Sequence, residues 1–154
     1  MTTGDFNKIT QYIIERCADL KSKYVNEDIQ IDYICIFSQS QDEYNELLKQ
    51  ASSLGEIIDN TSTGQVFKFN SYPPTILGKP KILKIRIPDQ STKPERGDVD
   101  FTTNYAGFKS KYLDNKRFKL IKREKFEMIE LRDEKFDVLV YFSSIPPSKI
   151  LGIN

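Results

Sequence analysis

Residues 79–101 read KPKILKIRIPDQSTKPERGDVDF, and the reading of this stretch decides the fold. From Ile82 to Ile87 apolar and charged residues alternate: Leu83, Ile85 and Ile87 point one way, Lys84 and Arg86 the other. A period of two predicts a half-buried strand. Pro88 and Asp89 stop it, because proline brings no backbone donor to a ladder. A polar loop over 90–97 follows, stiffened by Pro94 and freed by Gly97. A second strand then opens at Asp98, with Asp98, Asp100 and Thr102 on one face and Val99 and Phe101 on the other. Each strand has an apolar face and a charged one. If both charged faces line one cavity, Lys84 and Arg86 meet Asp98 and Asp100, and Arg86 pairs with Asp98 across adjacent strands.

Working outward, residues 5–24 carry Phe6, Ile9, Tyr12, Ile13, Cys17, Leu20 and Tyr24 at steps of three and four. That spacing is one stripe of an amphipathic helix, with Thr3 or Asp5 as caps. Residues 29–37 predict a strand, with Ile31, Tyr33, Cys35 and Phe37 on one face and Ile34 and Ile36 on the other. A second helix is expected over 42–53, burying Tyr44, Leu47, Leu48 and Ala51 and stopping at Gly55. Strands at 56–59 and 65–70 flank a turn, and a proline-rich connection over 72–80 leads back to the central strand. After Asp98 the order repeats: a strand over 98–103, a helix over 105–112, then strands at 119–123, 127–131 and 136–142. The tail 143–154 is expected to dock through Ile145, Ile150 and Leu151. Both halves read strand, helix, then three strands.

Composition narrows the chemistry. The 154 residues contain no histidine, which excludes histidine bases, phosphohistidine and histidine metal ligands. Cys17 and Cys35 lie apart, one in a predicted helix and one in a predicted strand, and read as buried reduced thiols. The net charge of +1 gives no general attraction to nucleic acid or membrane. The polar opening MTTGDFNK and the lack of a long apolar run predict a soluble, cytoplasmic protein. Lys79, Lys81, Lys84 and Lys93 form a local basic run with no glycine-rich loop to cradle a phosphate, so it reads as a solvated face. Asp98 and Asp100, with Glu127 and Glu130 on a later strand, suit an all-oxygen cation site or a carboxyl acid–base pair, or else a solvated charged face.

Several short pieces together resemble one family. They are Asp32-Tyr33-Ile34-Cys35 for the opening strand, 43–55 for the helix and Thr63-Gly64-Gln65 for the turn. Ile76-Leu77-Gly78, Ile85-Arg86-Ile87-Pro88 and Gly97-Asp98-Val99-Asp100 complete the set. With two βαβββ units in tandem, the chain resembles the vicinal oxygen chelate superfamily of glyoxalases and bleomycin-resistance proteins, and within it the YecM-like branch. The resemblance implies an α+β fold: two tandem βαβββ units form a curved mixed sheet around a cavity, with an extra N-terminal helix. It divides one domain into an N-terminal helix (1–28), a first unit (29–90), a second unit (97–142) and a tail (143–154). The family's metal-ligand positions fall on Tyr33, Arg86, Asp98 and, near the last strand, Tyr141. A guanidinium has only donors and cannot ligate a cation, so no metal or other cofactor is expected. The implied protein binds a small anionic molecule through Tyr33, Lys84, Arg86, Asp98, Asp100 and Tyr141, as a monomer or homodimer. The alternatives are a lyase, isomerase or dioxygenase-like enzyme with a metal held by carboxylates, and a non-catalytic interaction domain.

Overall fold

Helix α1 (Thr3–Tyr24) opens a computed structural model that describes residues 3–70, 72, 74–88 and 94–153. Asp89, Gln90 and Lys93 of the predicted loop, Pro73 of the connection and Asn154 of the tail lie outside the described residues. The helix begins earlier than its spacing predicted, so Asp5 sits in the first turn, facing the positive end of the helix dipole, and is not the cap. Most of its stripe is buried: Phe6, Ile13, Cys17 and Leu20 are fully covered, at about 1.5–3 kcal/mol for each large side chain, whereas Tyr12 is exposed and Ile14, outside the predicted stripe, is buried in its place.

Strand β1 (Gln30–Phe37) leads to α2 (Gln41–Leu54), then β2 (Gly55–Thr61), β3 (Gly64–Phe69) and β4 (Ile82–Arg86). Ser40 caps α2 by accepting the amide of Glu43 at 3.1 Å, and Gly55 ends the helix in extended backbone as the first residue of β2. The second run is β5 (Gly97–Thr102), α3 (Tyr105–Tyr112), β6 (Phe118–Lys122), β7 (Glu127–Leu131) and β8 (Val138–Ser143), closed by the short α4 (Pro147–Ile150). The last strand starts two residues later than predicted, because Phe136 closes a turn onto the carbonyl of Asp133.

All eight strands join one mixed sheet in the order β2-β3-β4-β1-β5-β8-β7-β6. β1 runs parallel to β4 and antiparallel to β5, and β5 runs parallel to β8. This corrects the expectation that Arg86 and Asp98 lie on adjacent strands, since β1 separates β4 from β5. The physical reason is in β1 itself, QIDYICIF, which is apolar on both faces and therefore suits the buried middle of a sheet. A glycine lets the strands close at this seam: a Cβ on Gly97 would lie 2.2 Å from the Cys35 carbonyl oxygen and 2.8 Å from Ile13 Cδ1.

Helices α1, α2 and α3 cover one face. Under them lie Ile34, Ile36, Leu83, Ile85, Val99, Phe101, Val140 and Phe142, together with Phe108 and Phe118 in a ring cluster where Phe108 and Phe142 stack at 4.2 Å. Ile31 belongs to this face, contrary to the expectation that it shares a face with Tyr33. The register with β5 shifts between Ile31 and Tyr33, leaving Asp32 as the extra residue of a bulge, and a bulge reverses the parity on one side of it.

Asp32 also explains the tail. It accepts both the backbone amide of Ser148 (2.9 Å) and the Ser148 hydroxyl, and both residues are buried. Ile145 and Ile150 are 39% and 45% exposed, so the tail docks through a buried polar pair and not through those isoleucines. No helix among the described residues is long and apolar enough to cross a membrane.

Candidate functional site

The second face of the sheet carries no α1, α2 or α3, yet its middle is buried. Cys35, Phe37 and Leu139 form a small apolar cluster there, with Tyr33 and Tyr141 packed against it. Strand register places the polar side chains around it. Tyr33 pairs with Asp100, Asp100 with Tyr141, and Cys35 with both Lys84 and Asp98. Phe37 pairs with Arg86, whose guanidinium carbon lies 5.5 Å from the ring centre. All six predicted residues (Tyr33, Lys84, Arg86, Asp98, Asp100 and Tyr141) therefore share this open face. Asp98 and Asp100 are nearly covered and form a floor, while Tyr33, Lys84, Arg86 and Tyr141 are half-buried above it.

Burial sets the protonation of the floor. Asp100 is 1% exposed, and desolvation, with neighbouring Asp98 and Asp32 adding to it, pushes its carboxyl up to about 8. A hydrogen bond from the Ser143 hydroxyl to Oδ2 opposes that shift without cancelling it. Oδ1 is buried and has no hydrogen-bond partner among the described residues. Asp100 is thus mostly neutral near pH 7, a carboxylic acid able to donate. Burial likewise drives the Cys35 thiol well up, with Asp98 adding to it, and drives the Tyr33 and Tyr141 phenols up. The thiol and both phenols keep their protons, so none is poised as a nucleophile. What this face offers is a protonated Asp100 and two phenols beside the carboxyls of Asp98 and Glu130, with two cations to one side.

Part of the arrangement escaped the sequence reading. The Tyr141 hydroxyl donates to Glu130 Oε2 at 2.8 Å, Arg132 reaches Glu130 Oε1 at 3.3 Å, and Arg132 also holds Glu95 Oε1 at 2.8 Å. Ser143 was legible by parity, two residues beyond Tyr141, but Glu95 and Arg132 sit at strand ends, where a period of two no longer aims a side chain. The predicted acidic quartet does not assemble. Glu127 falls on the helix face, where Lys109 and Tyr105 of α3 both bond its Oε2 at 2.7 Å. Among the described residues no group of three metal-ligating side chains converges. Lys84 turns toward the β2–β3 turn and donates to Thr63 Oγ1 at 2.5 Å. Cys17 and Cys35 are both free and buried.

No family model matches the chain, and no curated protein is significantly similar to it. A solved structure described as "Structural Genomics, Protein EC4020" aligns with a TM-score of 0.73 at 10% identity, covering 97% of this chain and 91% of that one. At such identity the likeness is one of fold, an α+β arrangement built on a mixed eight-stranded sheet.

Proposed function

We propose that this chain is a small-molecule-binding protein of the vicinal oxygen chelate type, in which side-chain donors occupy the ring that a metal holds in relatives. The order of elements supports the tandem βαβββ reading: each run gives strand, helix and three strands, and β1 and β5, the first strand of each, pair at the centre. In that reading the open face is the concave lining of the cavity.

The observation that carries the proposal is the placement on one face of the sheet, away from α1, α2 and α3, of a neutral Asp100, two protonated tyrosines and Arg86, with Lys84 at its margin. A buried carboxyl kept neutral in a sheet's interior destabilises the fold at neutral pH and above, which suits a site more than a scaffold. The ligand is a small molecule with a carboxylate or phosphate for Arg86, whose planar fork binds such groups in bidentate fashion. Neutral oxygens on the ligand would meet the donors beneath. A metal-dependent enzyme receives less support, because Glu127 lies on the other face and Arg86 brings positive charge to the ring.

Titration calorimetry against a panel of carboxylates and phosphate monoesters tests this. At least one member should bind wild type, and Arg86→Lys should weaken it by about tenfold or more, since lysine keeps the charge and loses the fork. Equal binding by both proteins would reduce Arg86 to a structural role and remove the proposal.

A further inference from the structure

Residues 116–125 read KRFKLIKREK, six cations against one acid in a chain whose net charge is +1. They include β6, which forms one edge of the sheet. Register places Lys119 opposite Glu130 and Ile121 opposite Met128, so Lys119 and Ile121 project on the open face. A groove of about 850 Å³ lies here, lined by Lys116, Arg117, Lys119, Arg123 and Arg132 above half-buried Leu120 and Ile121. Its two acids are already engaged. Arg117 holds Glu134 at 2.6 Å, and Arg132 and Tyr141 hold Glu130 at 3.3 and 2.8 Å. Lys116, Lys119 and Arg123 make no ion pair among the described residues.

We propose that this groove binds a compact polyphosphate, such as the di- or triphosphate part of a small molecule. Lys116, Lys119 and Arg123 place three cations, without ion pairs among the described residues, around one groove, more positive charge than one carboxylate would use, and phosphate chains supply several charges over a short span. Among the described residues no aromatic side chain lines the groove to give bases a platform for stacking, and this favours phosphate groups over single-stranded nucleic acid. The groove is centred away from Arg86, since β6 lies five strand steps from β4 and neighbouring strands are about 4.8 Å apart, and it meets the proposed small-molecule site where Tyr141 bonds Glu130. A row of cations along an edge strand also discourages pairing with a second sheet, and the experiment must separate that role from binding.

Inorganic tripolyphosphate is titrated into the full chain at low ionic strength and again at higher salt. Binding should weaken as salt screens it. The exposed pair Lys119→Glu with Arg123→Glu should lose about tenfold or more in affinity. Lys8→Glu with Lys49→Glu, exposed helix positions carrying the same change in net charge, should stay close to wild type, and so should Arg86→Lys. The proposal is overturned if wild type does not bind tripolyphosphate, if both double variants weaken it equally, or if a short single-stranded oligonucleotide binds more tightly and displaces it.

Discussion

Replacing Asp100 by asparagine should make the protein more stable at alkaline pH. In the folded chain this carboxyl titrates at about 8, whereas an unfolded aspartate titrates near 4. Between those values the native state holds a proton that the unfolded chain releases. Stability from this group is therefore complete below about pH 4 and is lost as pH rises, at roughly 1.4 kcal/mol per unit. Over the whole window the loss is on the order of 5 kcal/mol, a large share of the 5–15 kcal/mol that typically holds a domain together. Asparagine occupies the same space, still accepts the Ser143 hydroxyl and cannot ionise. Urea unfolding of both proteins at unit steps from about pH 5 to about pH 9 reads the difference directly, because all other titrating groups cancel. The two should lie within about 1 kcal/mol of each other near pH 5, with the variant ahead by several kcal/mol near pH 9. A difference that stays flat across the range would mean Asp100 ionises normally, and the account of a neutral Asp100 would fail.

Ser148→Ala should cost about 1–3 kcal/mol in chemical denaturation, because Asp32 stays buried with one of its two Ser148 bonds gone. Gly97→Ala should cost about 3 kcal/mol or more, since its Cβ would lie 2.2 Å from the Cys35 carbonyl oxygen at the seam between β1 and β5, where backbone cannot yield cheaply. Elemental analysis of the purified protein should find no stoichiometric zinc, nickel, iron or manganese; about one such metal per chain would contradict the reading of Arg86 as a ring residue.

Where alternation was regular, the fold was legible from residues alone. Leu83 and Ile85 face the helices and Lys84 and Arg86 the other side, as a period of two requires, and the stripes of α1 and α2 lie largely where spacing puts them, Tyr12 excepted. What failed was non-local. Sequence alternation cannot show that β1 inserts between β4 and β5, so the expected adjacency of Arg86 and Asp98 was a guess about pairing order. The bulge at Asp32 interrupts the period where the chain still reads as a clean strand, and it moved Ile31 to the other face. Glu127 was grouped with Glu130 although odd spacing separates their faces, an error that parity alone would have caught. The tail misled because large apolar residues are the obvious anchors, whereas a buried aspartate can be satisfied only by a polar partner, here Ser148. For the site, strand parity was enough to collect six side chains on one face, but not to find Arg132 and Glu95, whose positions depend on turns.

The most direct test of the central claim is an amide chemical-shift map of the protein with a bound carboxylate or phosphate monoester. The account predicts that the perturbed amides cluster on β1, β4, β5 and β8 around Tyr33, Arg86, Asp98 and Tyr141, and that the same shifts vanish in Arg86→Lys. Perturbations confined to the helices, or unchanged by that substitution, would contradict it.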